Sequence, residues 1–297
     1  MPFPFFGHIP RTIITLVVLA AAIPGIAAAQ GFVENFPDIP LNTLRAANNE
    51  VGLAATGMLQ NYQEALPSPS DTESGWMPGF SFKLSGMNPL RRSDASLLYF
   101  AVRYRYNSGG LSYQGFALAT HRPDNTTDQA TTQQVSVRIG KGFLIGSRVM
   151  LTPYFLYRFQ DWERNLQGAL GQREHYEANS AGIGLMSQWT PTARWVLTGD
   201  LAWAHGFSGT VHGTHGITSP ILNLNPGSTL QAGLQVDYEL SRPWHLYGGV
   251  QFTHFSYGGS APFYGYVPAA GRYIGPLHEP ASQTNLLGLD LGVAYHF

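Results

Sequence analysis

Residues 289–297 read LDLGVAYHF. Taken with the three residues before them and read by twos, they separate into two faces. Leu287, Leu289, Leu291, Val293, Tyr295 and Phe297 form one; Leu286, Gly288, Asp290, Gly292, Ala294 and His296 form the other. Successive side chains of a strand point to opposite faces, so this is a strand with one unbroken apolar face and one small or polar face. Such a face packs into a soluble sandwich core or faces lipid, and the rest of the chain has to decide which.

The opposite end reads as an export signal. Arg11 and His8 supply a thin basic region, TIITLVVLAAAI (12–23) the apolar run, and IAAAQG (26–31) the small residues before a cut between Ala29 and Gln30. The run is too short and wrongly flanked for a membrane-spanning helix. Residues 1–29 are therefore expected to be a signal peptide, 30–49 an N-terminal segment, and 50–297 the folded domain.

Composition narrows the class. The chain has no Cys, which excludes a disulfide framework and a cysteine-linked lipid anchor. A formal net charge of -1 offers no polybasic footprint for nucleic acid. Only 12% of residues are charged although 44% are hydrophobic, against roughly 25% charged in soluble domains. Low charge, 34 Gly and 13% aromatic residues without an apolar helical span suit a membrane barrel, which spreads its apolar surface over alternate positions.

Alternating segments recur along the whole domain. Ten strands are expected, near 50–63, 78–87, 97–106 (running on towards 115), 132–143, 149–162, 179–189, 194–207, 228–240, 245–257 and 286–297. The gaps alternate in length. LIGS, TPTA and SRP are short turns, NPLRRSD is slightly longer, and the remaining connections are long and rich in Gly, Pro, Ser and Tyr. Short turns at one end and long loops at the other, with an even strand count, give an antiparallel up-and-down barrel with both termini in the periplasm. Trp189, Trp195, Trp244, Phe143, Tyr295 and Phe297 fall at the short-turn ends, and Tyr106, Phe159, Trp203 and Tyr257 near the loop ends. Paired aromatic girdles are expected at the two headgroup levels; an all-β sandwich explains the alternation but not the girdles.

The terminal stretch also resembles the C-terminal assembly signal of bacterial outer-membrane β-barrel proteins, with Asp290, Gly292, Tyr295 and Phe297 matching it in order and spacing. The resemblance implies an outer-membrane location in a Gram-negative cell, outer-membrane lipid around the barrel, and the insertion machinery and periplasmic chaperones as assembly partners. YFAVRYRYNSGGLSYQG and LTPYFLYRF are similar to strands of a broad group of such barrels, which implies fold and location but no activity.

Barrel enzymes need particular constellations. The omptin proteases carry an Asp–His pair and a second acidic pair at the outer rim. Here Asp161, Glu163 and His205 leave strands at the rim, but Asp200 lies five residues before His205, on the opposite face and deeper. The outer-membrane phospholipase needs a His–x–Ser–Asn run; His254-Phe255-Ser256 is followed by Tyr257. His205, His212 and His215 have no carboxylate or Cys nearby in sequence to complete a metal site. No cofactor, metal site or catalytic residue is assigned.

The inward face is more informative. Lys83, Arg103, Arg105, Arg138 and Arg158 fall on strands two to five; Asp200, Asp237, Glu239 and Asp290 fall on strands seven, eight and ten. Facing lipid would cost about 2–4 kcal/mol for each Arg or Lys at the midplane, so these residues are expected to line the lumen, basic wall against acidic wall. Ten tilted strands give a bore of roughly 20 Å, too wide for pairs straight across but not for pairs along chords. Two readings stay open: a lumen filled by a charge network, with a non-enzymatic structural or surface-exposed role, or a narrow path for small polar solutes. An omptin-like protease is a third. Residues 30–49 either hang in the periplasm or tuck into the lumen; they are too short for a separate plug domain.

Overall fold

The computed structural model describes residues 41–65, 70–89, 96–117, 122–168 and 171–297. The signal segment, the cut after Ala29, residues 30–40 and most of the NPLRRSD turn lie outside the described residues. A short helix, α1 (Leu41–Ala46), precedes β1 (Glu50–Glu64), β2 (Thr72–Pro89), β3 (Ser96–Ala117), β4 (Arg122–Ile145), β5 (Val149–Asn165), β6 (Arg173–Thr192) and β7 (Trp195–His215). Then come β8 (Leu222–Asn223), β9 (Ser228–Ser241), β10 (Trp244–Tyr257), a β11–β12 hairpin (Phe263–Val267, Arg272–Leu277) and β13 (Ser282–His296). The order β6-β5-β4-β3-β2-β1-β13-β10-β9-β7, with β6 also pairing β7, closes ten antiparallel strands into a barrel. They are the ten strands expected. β8 is a two-residue addition to β7, and the hairpin bridges to the β7–β9 connection through Thr218 and Tyr266.

The strands overrun their expected loop ends. β4 begins ten residues earlier than the alternation suggests, and β7 runs to His215. The reason is visible in β4, where Thr126, Thr127, Asp128, Gln129, Thr131 and Thr132 are polar on both faces while the ladder with β3 continues to Ala117↔Arg122. Hydropathy alternation marks where lipid ends; backbone pairing does not need lipid and goes on.

The outward faces draw that boundary. On β5 they carry Leu151, Pro153, Phe155, Tyr157 and Phe159, then Asp161 and Glu163; on neighbouring β6 they carry Leu185, Ile183 and Ala181, then Asn179, Glu177 and His175. Tyrosines at the boundary reach up to the first polar residues: Tyr157 Oη donates to Asn179 Oδ1 at 2.6 Å and Tyr104 Oη to Gln133 Oε1 at 2.8 Å. At the short-turn end Trp195 packs on Tyr238 and Trp244 on Tyr295, with ring centroids 4.6 and 5.4 Å apart. Tyr257 departs from the expected girdle. Its position on β10 has inward parity, and it packs on Phe255 and the interior clusters.

The apolar outer face inverts the usual core, so the lumen is the protein's interior. At the short-turn end α1 enters the mouth, where Leu44 and Ala47 pack with Met87, Leu97, Tyr99, Met150, Met186 and Val196. Asn49 fastens this segment. Its amide accepts from Met87 N at 2.8 Å and donates to Met87 O at 3.0 Å, while its carbonyl accepts from His296 Nδ1 at 2.9 Å and Phe297 N at 3.2 Å. Of the two placements open for residues 30–49, the described part, 41–49, tucks into the lumen.

Candidate functional site

Above α1 lies a polar chamber of about 110 Å³. Arg105 on β3 crosses to Asp290 on β13, with Nη2 2.7 Å from Oδ1 and 2.5 Å from Oδ2. Gly288 makes room for the crossing, since a Cβ there would stand 2.6 Å from Arg105 Nη1. Arg103 reaches the same carboxylate at 3.9 Å and donates to Gln235 Oε1 at 3.3 Å. Arg138 on β4 holds Asp200 on β7 with two parallel bonds of 3.0 Å, and Tyr154 Oη adds a third at 2.8 Å. Such charge-assisted, bidentate pairs are strong and directional. The basic and acidic walls meet along chords, three strands apart in both cases.

The remaining lumen charges are arranged differently. Lys83 pairs with Glu50 at the start of β1 and lies 3.4 Å over the Tyr247 ring. Asp237 receives no Arg; it hydrogen-bonds His245 Nδ1 at 2.6 Å. Glu239 joins none of the ion pairs seen among the described residues. Arg158 is buried and donates to the amide oxygen of Gln231. Glu50 and His245 are lumen groups that the sequence reading missed, although both have inward parity on segments recognised as strands.

A second polar cluster, not anticipated, closes the loop end. Arg164 on β5 donates from Nε to Glu73 Oε1 at 2.9 Å and from Nη1 to Glu174. Its guanidinium lies 5.0, 5.2 and 5.9 Å from the rings of Tyr62, Trp162 and Tyr176, an aromatic cage around a cation. Tyr176 Oη donates to Glu279 at 2.7 Å, and Tyr62 Oη donates to Glu64 at 3.2 Å. The cluster stands level with outward-facing Asp161 and Glu163, beyond the lipid band. Strand five ends at Trp162 in the sequence reading; continuing its parity by two residues would have found Arg164.

Burial pushes the Glu64 carboxyl up to about 8 and those of Glu73 and Glu279 up to about 7, against the pull of Arg164. Unfolded, these groups titrate near 4.3 (an approximate reference value). From that pH to about 8 the folded state therefore holds protons that the unfolded chain has released. Their contribution to stability is fully present below the unfolded value and is lost as pH rises through about 7 to 8. Urea unfolding midpoints are expected to fall between about pH 5 and about pH 8, and Glu64→Gln should flatten the slope. A midpoint that rises across this range contradicts the assignment.

Among the described residues, the groups weighed for the two enzyme constellations do not converge. Asp161 and Glu163 face outward; Asp200 faces inward while His205 faces outward. Asp161 does meet a histidine, His175 at 2.6 Å, but on the exterior wall. His205 and His212 belong to no group that could hold a metal ion among the described residues, and the His215 side chain lies outside them; Glu50–Asp237–His245 and Asp161–His175–Glu177 are such groups, each with candidate ligand atoms within 4.8 Å of one another. His254 bonds Asn285 across the ladder at 2.9 Å, a partner invisible in the local sequence, yet the Ser256 hydroxyl accepts from Ser228 N and no hydrogen bond joins it to His254 among the described residues.

Of the terminal motif, Tyr295 and Phe297 face outward at the short-turn edge and Asp290 faces the chamber. At Gly292 a Cβ would stand 2.3 Å from Leu53 O, so the close approach of β1 requires glycine there.

No protein-family model matches the chain, and no curated protein matches it in sequence. Among solved structures it is similar to the outer membrane protease OmpT from Escherichia coli, at 11% identity over 84% of this chain and 96% of that one, with a TM-score of 0.53. It also aligns with the translocator domain of the autotransporter NalP from Neisseria meningitidis (12% identity, 97% of each chain, TM-score 0.39). A third alignment is to a major outer membrane protein from Thermus thermophilus (13% identity, 82% of this chain and 100% of that one, TM-score 0.36). The fold is that of an outer-membrane β-barrel.

Proposed function

We propose that the chain is a Gram-negative outer-membrane barrel with a structural or surface-exposed role, its lumen closed to solutes and non-enzymatic. The observation that carries this reading is closure at two levels, by α1 at the short-turn mouth and by the Arg164 cage at the loop end, with paired charges between them. The bidentate pairs Arg105–Asp290 and Arg138–Asp200 fix side chains across the bore. Single-channel recording of the refolded protein tests it: electrical silence is expected, and stable stepwise conductance would move the assignment to a narrow channel for small polar solutes.

The terminal motif is the proposed handle for the insertion machinery, with periplasmic chaperones delivering the unfolded chain. Phe297→Ala is expected to reduce heat-modifiable, membrane-inserted protein sharply while export across the inner membrane continues. Phe297 is 62% exposed and buries little, so a loss of insertion would not be a loss of core packing. Normal insertion of the variant would remove the role. The proposed topology puts the long loops outside the cell. An epitope within residues 259–282 should be labelled on intact cells and one within 241–243 should not; the reverse pattern would turn the barrel over.

A further inference from the structure

We infer that the lumen chamber holds a small tetrahedral oxyanion, of the sulfate or phosphate class, at Arg158. The accounting of charge leads there. Each carboxylate lining the chamber is already engaged: Asp290 by Arg105, with Arg103 at a distance; Asp200 by Arg138; Glu50 by Lys83. In the chamber's described lining five cations thus face three carboxylates; Asp237 stands just outside it, bonded to His245, so the lining itself is left positive.

Arg103 and Arg158 are the two cations left over, and Arg103 keeps Asp290 at 3.9 Å and Gln235 at 3.3 Å. The relative exposure of Arg158 is 4%, and its hydrogen-bond acceptor is a neutral amide, Gln231 Oε1. Its Nε and Nη1 are buried without an acceptor among the described residues, and Arg105 Nε is in the same condition. The charged groups that act on Arg158 most strongly include Arg138 and Arg105, both of its own sign. A buried cation among cations is costly unless a counter-charge arrives with it. Guanidinium groups with free N–H donors suit the oxygens of a tetrahedral oxyanion. The chamber's 110 Å³, which Arg158 lines, admits an ion of that size, and its negative charge offsets the positive lining. This inference rests on the closed-lumen reading for retention: with both ends closed, the ion enters while the barrel forms and stays afterwards.

The experiment refolds the full chain in detergent with radiolabelled sulfate, removes free label by desalting, and counts what stays. Wild type should retain stoichiometric label. Arg158→Gln should retain ~10- to 100-fold less, the loss expected for removing a charged hydrogen-bonding group. Lys141→Gln, a cation on the outward face, should retain it fully. Unlabelled phosphate present during refolding should compete, and chloride at equal concentration should not. A second readout guards against misfolding. With no oxyanion present, Arg158→Gln should unfold at the same or higher urea concentration than wild type, because an uncompensated charge has gone. Added sulfate should then stabilise wild type but not the variant, beyond the general salting effect common to both. Equal retention by Arg158→Gln, competition by chloride as effective as by phosphate, stabilisation by sulfate shared equally by the variant, or a variant destabilised in oxyanion-free buffer would each overturn the site. Retention through desalting rests on the closed-lumen reading and selective stabilisation by sulfate does not, so wild type that loses its label yet is stabilised by sulfate keeps the site and removes the closure.

Discussion

Arg164→Met is expected to destabilise the protein by about 3–5 kcal/mol, the usual cost of removing one side of a buried ion pair. The side chains involved are almost fully enclosed, at 4% exposure for Arg164, 0% for Glu73 and 9% for Glu174. The methionine preserves most of the packing against Tyr62, Trp162 and Tyr176, so the loss isolates the charge. It should also depend on pH. Without Arg164 the carboxyls of Glu64, Glu73 and Glu279 lose the cation that lowers their titration, and the folded state must take up more protons. The loss is therefore smaller near pH 5 than near pH 8 (approximate values), the same direction as in the wild type and steeper. Urea unfolding of both proteins across this range measures it. A loss of equal size at both ends would mean that the carboxylates stay ionised and solvated.

The second large effect belongs to Asp290. Asp290→Ala leaves Arg105, 7% exposed, without its carboxylate and beside Arg103. The expected loss is again about 3–5 kcal/mol, large against an ordinary folding stability of about 5–15 kcal/mol. Adding Arg105→Ala should recover much of it, because the stranded charge disappears. Adding Arg103→Ala should recover less, since that guanidinium keeps Gln235 as a partner. A double-mutant cycle reads the difference directly. Strict additivity for Asp290 with Arg105 would dissolve the proposed network.

The choice of Arg105 over Arg103 shows where the sequence stops being legible. Parity assigns both to the inward face, as it does Lys83, Arg138, Asp200 and Asp290, because period-2 alternation and the cost of charge in lipid act on every strand independently. Which partners meet depends on the stagger between β3 and β13, which is set by register around the whole ring, and no local stretch records that. Glu239 illustrates the same point, being inward by parity and left outside the ion pairs. Arg164 was missed for a different reason. Its strand continues into water, where nothing demands alternation, so the pattern used to find strands fades while the strand persists. The fold was legible because lipid imposes a one-residue rule; the loop-end cage was not, because side-chain pairing between strands β2, β5 and β6 imposes none.

The seam between β1 and β13 sets a clock for assembly. Glu50 pairs with His296 and Glu64 with Ser282, partners 246 and 218 positions apart in the chain. Bringing two such distant segments together costs about 5 kcal/mol of chain entropy before any rung forms, whereas the β2–β3 or β4–β5 rungs follow from short reversals. The hairpins can therefore accumulate early, and ring closure is the slow, late event. Asn49 ties that event to another, for its carbonyl is held by His296 and Phe297 while its amide is held by Met87 on β2. The segment bearing α1 cannot reach its final hydrogen bonds until the last strand has docked. Sealing of the wall and stoppering of the short-turn mouth are then one kinetic step, and a half-assembled barrel remains open along its side and at its base together.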